Sequence, residues 1–311
     1  MKTTLKVLGI VFGIICMFLL YVQLTYKQKF DTRPLPVKSR ADAAVIERGK
    51  YLATGVAHCY TCHMPDSLLR KGATTPMMGG FEFKLPFGII RTPNITPDLR
   101  TGIGSYTDEQ LYNALKNNIG HSGRALVGFM AYNHMGDEDI MAIISYLRTT
   151  HPVRNEVPEN EYNMVGKILM RFLVKPVDGR DSSVRADTTI AYGKYLSHHV
   201  ANCNGCHTNK DALGKFIGQP FAGGYQWDYE DAVYTAANLT PDDSTGRITA
   251  WSDTTFINRF RAGKILPNSP MPWSSYQYMS DRDLIAIHKY LRSISPAKNK
   301  IETTYRKKPI G

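Results

Sequence analysis

A five-residue pattern, Cys-X-X-Cys-His, occurs twice in the chain. The first copy is Cys59-Tyr60-Thr61-Cys62-His63 and the second is Cys203-Asn204-Gly205-Cys206-His207. Two thiols at this spacing can form thioethers with the two vinyl groups of a haem, while the adjacent imidazole reaches the iron. The pattern therefore predicts two covalently bound haem c groups. Cys59, Cys62, Cys203 and Cys206 would attach them, and His63 and His207 would bind the two irons.

Pairs of cysteines at this spacing also occur in zinc knuckles, thioredoxin-like redox pairs and disulfides. The surroundings favour haem, because several segments on both sides of the first motif return at the same offset as the cysteines. They are Gly49-Lys50-Tyr51-Leu52 and Gly193-Lys194-Tyr195-Leu196, Gly79-Gly80-Phe81 and Gly223-Gly224-Tyr225, Asn94-Ile95-Thr96-Pro97-Asp98 and Asn238-Leu239-Thr240-Pro241-Asp242, and Tyr146-Leu147-Arg148 and Tyr290-Leu291-Arg292. The chain is therefore a tandem duplication with one haem motif in each repeat.

Three helices in each repeat are predicted to position these motifs. The first begins after Asp42, a predicted N-cap, and leads into Cys59. A middle helix is predicted at 107–118 and again at 252–262, each with large apolar residues at i, i+4 spacing. A closing helix follows Asp137 in the first repeat and Ser280, a predicted N-cap, in the second. The pattern predicts an all-α fold wrapped around two haems.

The amino-terminal segment has the composition of a membrane anchor. A short basic head precedes an apolar run from Val7 to Leu24, in which Gln23 alone is strongly polar. This length reaches the lower limit for a membrane span, and no small-X-small cleavage site follows it, so we expect an uncleaved signal anchor. Cys16 lies inside the run and is interpreted as a packing or lipid-facing residue. Because c-type haem is attached on the export side, the amino terminus should stay in the cytoplasm, with the haem domains in the periplasm of a bacterial inner membrane.

The rest of the chain divides by composition and by the repeat. The predicted regions are an anchor at 1–26, a tether at 27–41, domain 1 at 42–150, a linker at 151–185, domain 2 at 186–296 and a basic tail at 297–311. Within the linker, an amphipathic helix from Tyr162 to Val174 is expected to pack across the two domains. The 311 residues carry a net charge of +11, which favours contact with an acidic partner or a membrane surface. No nucleic-acid module is recognisable, so no nucleic-acid partner is expected.

Together these segments resemble class I cytochrome c domains. The resemblance covers Asp42 to Ser295 and rests on the helix into each haem motif, the Asn-hydrophobic-Thr-Pro-Asp segments, Met271-Pro272-Trp273 and the Asp-X-Asp start of the closing helices. The arrangement is most similar to tandem-haem cytochromes that serve as electron-transfer subunits of bacterial membrane-linked dehydrogenases.

This resemblance implies a methionine as the second axial ligand of each iron. Met271 fills that role in domain 2. In domain 1 an ungapped overlay places Val127 opposite Met271, and valine cannot bind iron, so a three-residue shift that selects Met130 is preferred. The alternatives left open are His121, His134, Met135 and an open coordination position.

The resemblance also assigns haem-lining residues. Asn94 and Thr96 in domain 1, and Asn238 and Thr240 in domain 2, are expected to line the haem, with polar groups that contact the propionates. Carbonyl groups near these segments are expected to orient the ligating imidazoles.

The function that follows is electron relay from a dehydrogenase or quinol-linked donor to an oxidase or soluble carrier. A second hypothesis is a dihaem enzyme of the thiosulfate dehydrogenase or peroxidase type, with the domain 1 haem as its catalytic site. A third is an anchor and assembly subunit whose haems contribute little to electron flow.

Overall fold

The structure is a computed structural model that describes residues 2–35, 38–69, 72–211, 214–266 and 268–309. Met1 of the predicted anchor, 36–37 of the predicted tether and 310–311 of the predicted tail lie outside the described residues. The helices and strands, in chain order, are α1 Lys2–Thr25, α2 Ala43–Tyr51, α3 Asp66–Leu69, β1 Glu82–Leu85, β2 Gly88–Arg91, α4 Asp108–Lys116, α5 Asp137–Thr149, β3 Glu161–Tyr162, α6 Met164–Phe172, α7 Ile190–Tyr195, α8 Cys203–His207, β4 Gln226–Asp228, β5 Ala232–Thr235, α9 Asp253–Arg261, α10 Trp273–Tyr276, α11 Asp281–Ser293 and β6 Tyr305–Lys307.

The contacts divide the chain into two units whose borders differ from those of the repeats. Unit 1 contains Met1–Ser39, Cys62–Asn133 and Leu147–Gly179, and unit 2 contains Arg40–Thr61, His134–Tyr146 and Arg180–Gly311. Helix α2 and most of α5 therefore group with the second repeat. Each unit is described by itself below.

The helices begin where their capping residues predict. Asp42 accepts a hydrogen bond from the backbone N–H of Ala44 at 2.8 Å and caps α2, as expected. Ser280 accepts one from the N–H of Asp283 and caps α11, also as expected. Thr107 and Ser252 cap the two middle helices, and Thr107 forms a capping box with Gln110.

The expectation of an all-α fold is not confirmed, because the described chain also contains two three-stranded antiparallel sheets. Their strand orders are β1-β2-β3 in unit 1 and β4-β5-β6 in unit 2. Strand β3 lies in the region predicted as a linker, and β6 lies in the predicted tail. Each repeat therefore continues beyond its closing helix and adds a third strand to its own sheet.

Two glycines allow the first and last helices of each repeat to cross at close range. A Cβ atom on Gly49 of α2 would overlap the carbonyl oxygen of Ala142 in α5, and one on Gly193 of α7 would overlap that of Ala286 in α11. Both crossings lie in unit 2. They explain why Gly49 and Gly193 recur in the two repeats, since only glycine fits between these backbones.

Within unit 2, two tyrosines link helices of one repeat to helices of the other. The Tyr51 hydroxyl donates to Asp283 Oδ2 at 2.8 Å and accepts from the N–H of Ser280 at 2.9 Å. Reciprocally, the Tyr195 hydroxyl donates to Asp139 Oδ2 at 2.7 Å and accepts from the N–H of Gly136 at 3.0 Å. Each tyrosine thus binds the amino-terminal end of the other repeat's closing helix.

Helix α1 is long and apolar enough to cross a membrane. It has 24 residues, and its most apolar window has a mean hydropathy of 2.5. The amphipathic helix expected at Tyr162 to Val174 is present as α6, and Asn163 caps it. It contacts α1 and β3 in unit 1, and the expected packing across the two domains stays a prediction.

Candidate haem sites

A tight turn introduces each Cys-X-X-Cys-His motif. The first helix of each repeat ends in a π-helical turn, Leu52–Val56 in one repeat and Leu196–Val200 in the other. The residue just before the first cysteine then has a positive φ, +43° at His58 and +51° at Asn202. Short helical turns follow at Cys59–Thr61 and Cys203–His207. The same backbone path therefore presents both motifs, and π turns of this kind often occur at functional sites.

Both motif histidines are held by a backbone carbonyl from the same position of their repeat. His63 Nδ1 lies 2.9 Å from the carbonyl oxygen of Pro93, and His207 Nδ1 lies 2.9 Å from that of Ala237, each 30 residues further along the chain. A carbonyl oxygen only accepts, so Nδ1 must carry the proton, and the Nε2 lone pair is left for a metal. Burial lowers the pKa of both rings, which favours the neutral form that binds iron. The donor chemistry fits haem iron in both repeats.

A glycine lies directly against this carbonyl in each repeat. The Gly79 N–H donates to the His63 carbonyl oxygen at 2.9 Å, and the Gly223 N–H donates to that of His207 at 2.8 Å. Both glycines have a positive φ. A Cβ on Gly79 would lie 2.6 Å from Pro93 O, and one on Gly223 would lie 2.7 Å from Ala237 O. A side chain at either position would therefore displace the carbonyl that orients the histidine.

Burial changes the acidity of the two cysteines in the second motif. Burial raises the pKa of Cys203 to about 12 and also raises that of Cys206. A zinc site or a reactive redox pair needs thiolates, which this burial disfavours. Within the described residues, no group of three or more His, Cys, Asp or Glu side chains is placed to hold a metal ion.

The side-chain amides of the predicted haem-lining asparagines form hydrogen bonds within the protein. Asn94 Oδ1 accepts from the backbone N–H and the hydroxyl of Thr96, and Nδ2 donates to Thr101 Oγ1 and to the carbonyl oxygen of Val153. Asn238 makes the same bonds to Thr240, Thr245 and Ala297. Both amide hydrogens are used in each repeat, so the expected propionate contacts of these asparagines are not supported. That Asn94, Thr96, Asn238 and Thr240 line the haem stays a prediction.

Two further asparagines, which were not identified from the sequence, form hydrogen bonds to the loop that carries the Gly-Gly pair. Asn155 Nδ2 donates to the carbonyl oxygen of Met78 at 2.8 Å, and Asn299 Nδ2 donates to that of Ala222 at 2.8 Å. Each bond ties the segment after the closing helix to the residue before the Gly-Gly pair. The signal was present in the sequence, because Pro152-Val153-Arg154-Asn155 returns as Pro296-Ala297-Lys298-Asn299 at the offset of the repeat.

Met271 lies two residues before α10, beside a packed cluster of side chains. Its carbonyl accepts from the N–H of Trp273 at 2.7 Å, and the Arg259 guanidinium lies 3.6 Å from the centre of the Trp273 ring. The Trp273 ring also packs edge-on against Phe260 at 5.6 Å. The half-buried Met271 is thus positioned by a backbone hydrogen bond and by its packed neighbour Trp273.

In the first repeat, the environments of the candidate ligands differ. Met135 is fully buried, as is Met279 at the corresponding position of the second repeat, which is typical of core methionines. His121 stacks on Tyr106, and its Nε2 pairs with the Tyr106 hydroxyl at 3.2 Å. His134 packs edge-on against His199. Met130 is half-buried.

Comparison with known proteins agrees with this chemistry. The cytochrome c family model matches residues 46–151. The chain is 32% identical over 286 residues to the fructose dehydrogenase cytochrome subunit of Gluconobacter japonicus, a match that covers 86% of this chain and 55% of that protein. It is 31% identical to the cytochrome c subunit of the quinone alcohol dehydrogenase of Gluconobacter oxydans (strain 621H), covering 82% of this chain and 55% of that protein. It is 27% identical to the gluconate 2-dehydrogenase cytochrome c subunit of Pantoea cypripedii, covering 86% of this chain and 63% of that protein.

The chain spans little more than half the length of these relatives. A shorter relative, a dihaem cytochrome c-type protein of Cereibacter sphaeroides, is 26% identical over 60% of this chain and 72% of its own length.

Proposed function

Because residues 46–151 form a cytochrome c domain and the chain is related to cytochrome c subunits of dehydrogenases, we propose that it is a membrane-anchored dihaem cytochrome c. It takes electrons from a dehydrogenase and passes them to an acceptor on the export side of the membrane. The observation that carries the proposal is the pair of motif histidines, each with Nδ1 on a backbone carbonyl 2.9 Å away.

The residues of each repeat have defined roles in this proposal. Cys59 and Cys62 attach one haem, and Cys203 and Cys206 attach the other. His63 and His207 bind iron through Nε2, and their Nδ1–H···O=C bonds set the ring orientation and the basicity of the ligand. The haem iron supplies one-electron chemistry when bound, and the protein sets its potential through the axial ligands and burial.

We assign the second axial ligands to Met271 and Met130. Thioether sulfur raises the reduction potential, which suits a carrier that accepts electrons from a dehydrogenase. Support for Met271 is its hydrogen-bonded position two residues before α10. Support for Met130 is that Met135 is a core residue and that the Nε2 atom of His121 is engaged by Tyr106.

The donor is proposed to be a dehydrogenase, since the relatives are named as subunits of such enzymes. Their names refer to fructose, alcohol and gluconate, although each of these cytochrome subunits is similar to this chain. The dehydrogenase, and not this chain, therefore determines which substrate is oxidised. An oxidase or a soluble carrier is the proposed acceptor.

Carbon monoxide binding to the dithionite-reduced, detergent-solubilised full chain tests this function. A relay with two six-coordinate haems resists carbon monoxide, and Met130→Ala should open one haem while Met271→Ala opens the other. Met135→Leu is the matched control and should change nothing. Ready binding by one haem of the wild type, together with turnover of thiosulfate or peroxide, would contradict the relay and establish the enzyme hypothesis.

A further inference from the structure

Helix α6 exposes an apolar stripe. Val165, Leu169 and Phe172 share one face at i, i+4 and i+7, and Leu173 follows directly after the helix. Val165 is 58% exposed, Phe172 is 42% exposed and Leu173 is 70% exposed. Exposed apolar side chains clustered in this way on one element indicate a surface that binds a protein partner or a membrane.

The contacts of α6 with α1 show the direction in which it runs. Lys167 Nζ donates to Gln23 Oε1 at 2.8 Å, and the Arg171 guanidinium donates to the hydroxyl of Tyr21 at 2.5 Å. The Phe172 ring stacks on Phe18 with centroids 6.1 Å apart. Just before α6, the Tyr162 ring packs edge-on against Tyr26 at 6.5 Å, so the ring contacts move from Tyr26 to Phe18 as the helix proceeds. The long side chain of Arg171 also reaches back to Thr25 and Gln28. Helix α6 therefore runs antiparallel to α1, towards its middle.

Because α6 runs in this direction, its carboxyl-terminal end lies beside the apolar run of α1 and not beyond the end of that run. Phe18 precedes Leu24, the last residue of the apolar run, by six positions. At the helical rise of 1.5 Å per residue, Phe172 lies about 9 Å inside the span of that run. Lys175 Nζ and the Arg171 guanidinium both donate to Gln28 Oε1, which lies beyond the end of α1. Among these contacts, the one between Phe172 and Phe18 lies furthest inside the apolar run.

Cationic side chains lie where α6 meets the end of α1. Lys167, Arg171 and Lys175 bond to Gln23, Tyr21 and Gln28, and Lys27 and Lys29 follow the end of α1. Apolar segments that also carry lysine and arginine bind at the membrane interface, where their apolar side chains enter roughly the outer 5 to 10 Å of the leaflet. The depth derived for Phe172 falls in this range.

We propose that α6 enters the lipid leaflet beside α1 with its carboxyl-terminal end first, so that the apolar stripe of Val165, Leu169, Phe172 and Leu173 contacts lipid. The inference rests on the proposed role of α1 as a membrane span. It adds a second membrane contact, formed by the segment between the two repeats, which holds unit 1 at the membrane surface. The leaflet is the one on the haem side, because α6 meets the carboxyl-terminal half of α1.

Thiol accessibility in lipid nanodiscs tests this insertion. The full-length holoprotein with Cys16→Ser as background receives one further change, Leu173→Cys, Val165→Cys or Ile265→Cys. Ile265 is the matched control, since it is an aliphatic residue of unit 2 that is 62% exposed. Each protein is placed in nanodiscs of phosphatidylethanolamine and phosphatidylglycerol, and its rate of reaction with a charged, membrane-impermeant maleimide is measured.

The Leu173→Cys protein should react about tenfold more slowly than the Ile265→Cys protein, because the leaflet shields a side chain buried in it. Val165→Cys, nearer the start of α6, should fall between them, and the three rates should become equal in denaturant. Phe172→Cys repeats the test at the neighbouring position. Equal rates for Leu173→Cys and Ile265→Cys in nanodiscs would overturn the inference and leave the anchor intact. Failure of the protein to enter nanodiscs would contradict the anchor itself.

Discussion

Tyr60 lies inside the first haem motif, yet its hydroxyl binds the second repeat. The hydroxyl donates to Ser274 Oγ at 3.1 Å, and the neighbouring His58 ring packs edge-on against Tyr276 at 5.5 Å. Ser274 and Tyr276 belong to α10, which begins two residues after Met271. All of these contacts lie within unit 2. The first motif therefore helps to position the loop that carries the proposed sulfur ligand of the second haem.

The Tyr60→Phe variant should weaken this positioning. The lost hydrogen bond is worth about 1 kcal/mol, so the affinity of the second haem for carbon monoxide should rise about fivefold. The measurement is a carbon monoxide titration of the reduced protein. Tyr51→Phe is the control, because it also loses a bond between the repeats but one that is made to α11. An equal rise in both variants would show general loosening and not positioning by Tyr60.

His58 makes stability depend on pH. Burial lowers the pKa of its ring from 6.5 to about 4. As pH falls from 7 to 5, the unfolded chain binds a proton that the folded chain does not, so the free energy of unfolding should decrease by about 2 kcal/mol. Denaturant unfolding at the two pH values measures this decrease. It should be about 2 kcal/mol smaller in the His58→Leu variant, which lacks the imidazole. The same decrease in both proteins would refute the assignment.

At the scale of the elements, the helix crossings depend on glycine. Gly193→Ala would force α7 and α11 apart, because its Cβ would overlap the Ala286 carbonyl oxygen. We expect the free energy of unfolding to fall by about 3 kcal/mol, near the upper end for overpacking of a core. Gly55→Ala is the control, since the nearest atom, in the Tyr51 ring, would be 3.9 Å away. Denaturant unfolding measures both, and a comparable loss for the two variants would contradict the role of the crossing.

The main helices and their starts follow from the sequence because their determinants are local. Asp42 and Ser280 were predicted as N-caps and accept the expected backbone hydrogen bonds. Capping and the apolar stripe of a helix act within a few residues, so a pattern can reveal them. The haem motifs share this property, because five consecutive residues carry their chemistry.

The features missed by the sequence analysis depend on distant partners. The π turn at Leu52–Val56 has no periodicity of its own, and β3 has only two residues, Glu161 and Tyr162. The strand forms because Gly88 and Ile89 of β2 lie opposite it. Likewise the contacts of α6 with α1 join residues far apart in sequence, so composition predicted the helix and not its partner.

At the scale of the whole molecule, the duplication has produced a reciprocal link between the repeats. Tyr51 and Tyr195 occupy the same position of each repeat and bind Asp283 and Asp139, which also correspond. Both tyrosines recur in the sequence, but the sequence does not show that each one pairs with the opposite repeat.

Changing both residues to phenylalanine should therefore destabilise the link more than either change alone. Each lost hydroxyl bonds a carboxylate, so we expect the Tyr51→Phe and Tyr195→Phe double variant to lose about 3 kcal/mol of unfolding free energy. Denaturant unfolding followed by circular dichroism and by haem absorbance measures the loss. A loss below that of either single variant would show that the two bonds do not act together.

The central claim is that both repeats carry a covalent haem c on one membrane-anchored chain. Intact mass spectrometry of the denatured protein, purified from membranes of a host that matures c-type cytochromes, tests it most directly. We expect a single species with the mass of the chain with its anchor uncleaved plus two haem groups, and loss of one haem in the Cys203→Ala and Cys206→Ala double variant. A wild-type chain with one haem or none would contradict the account.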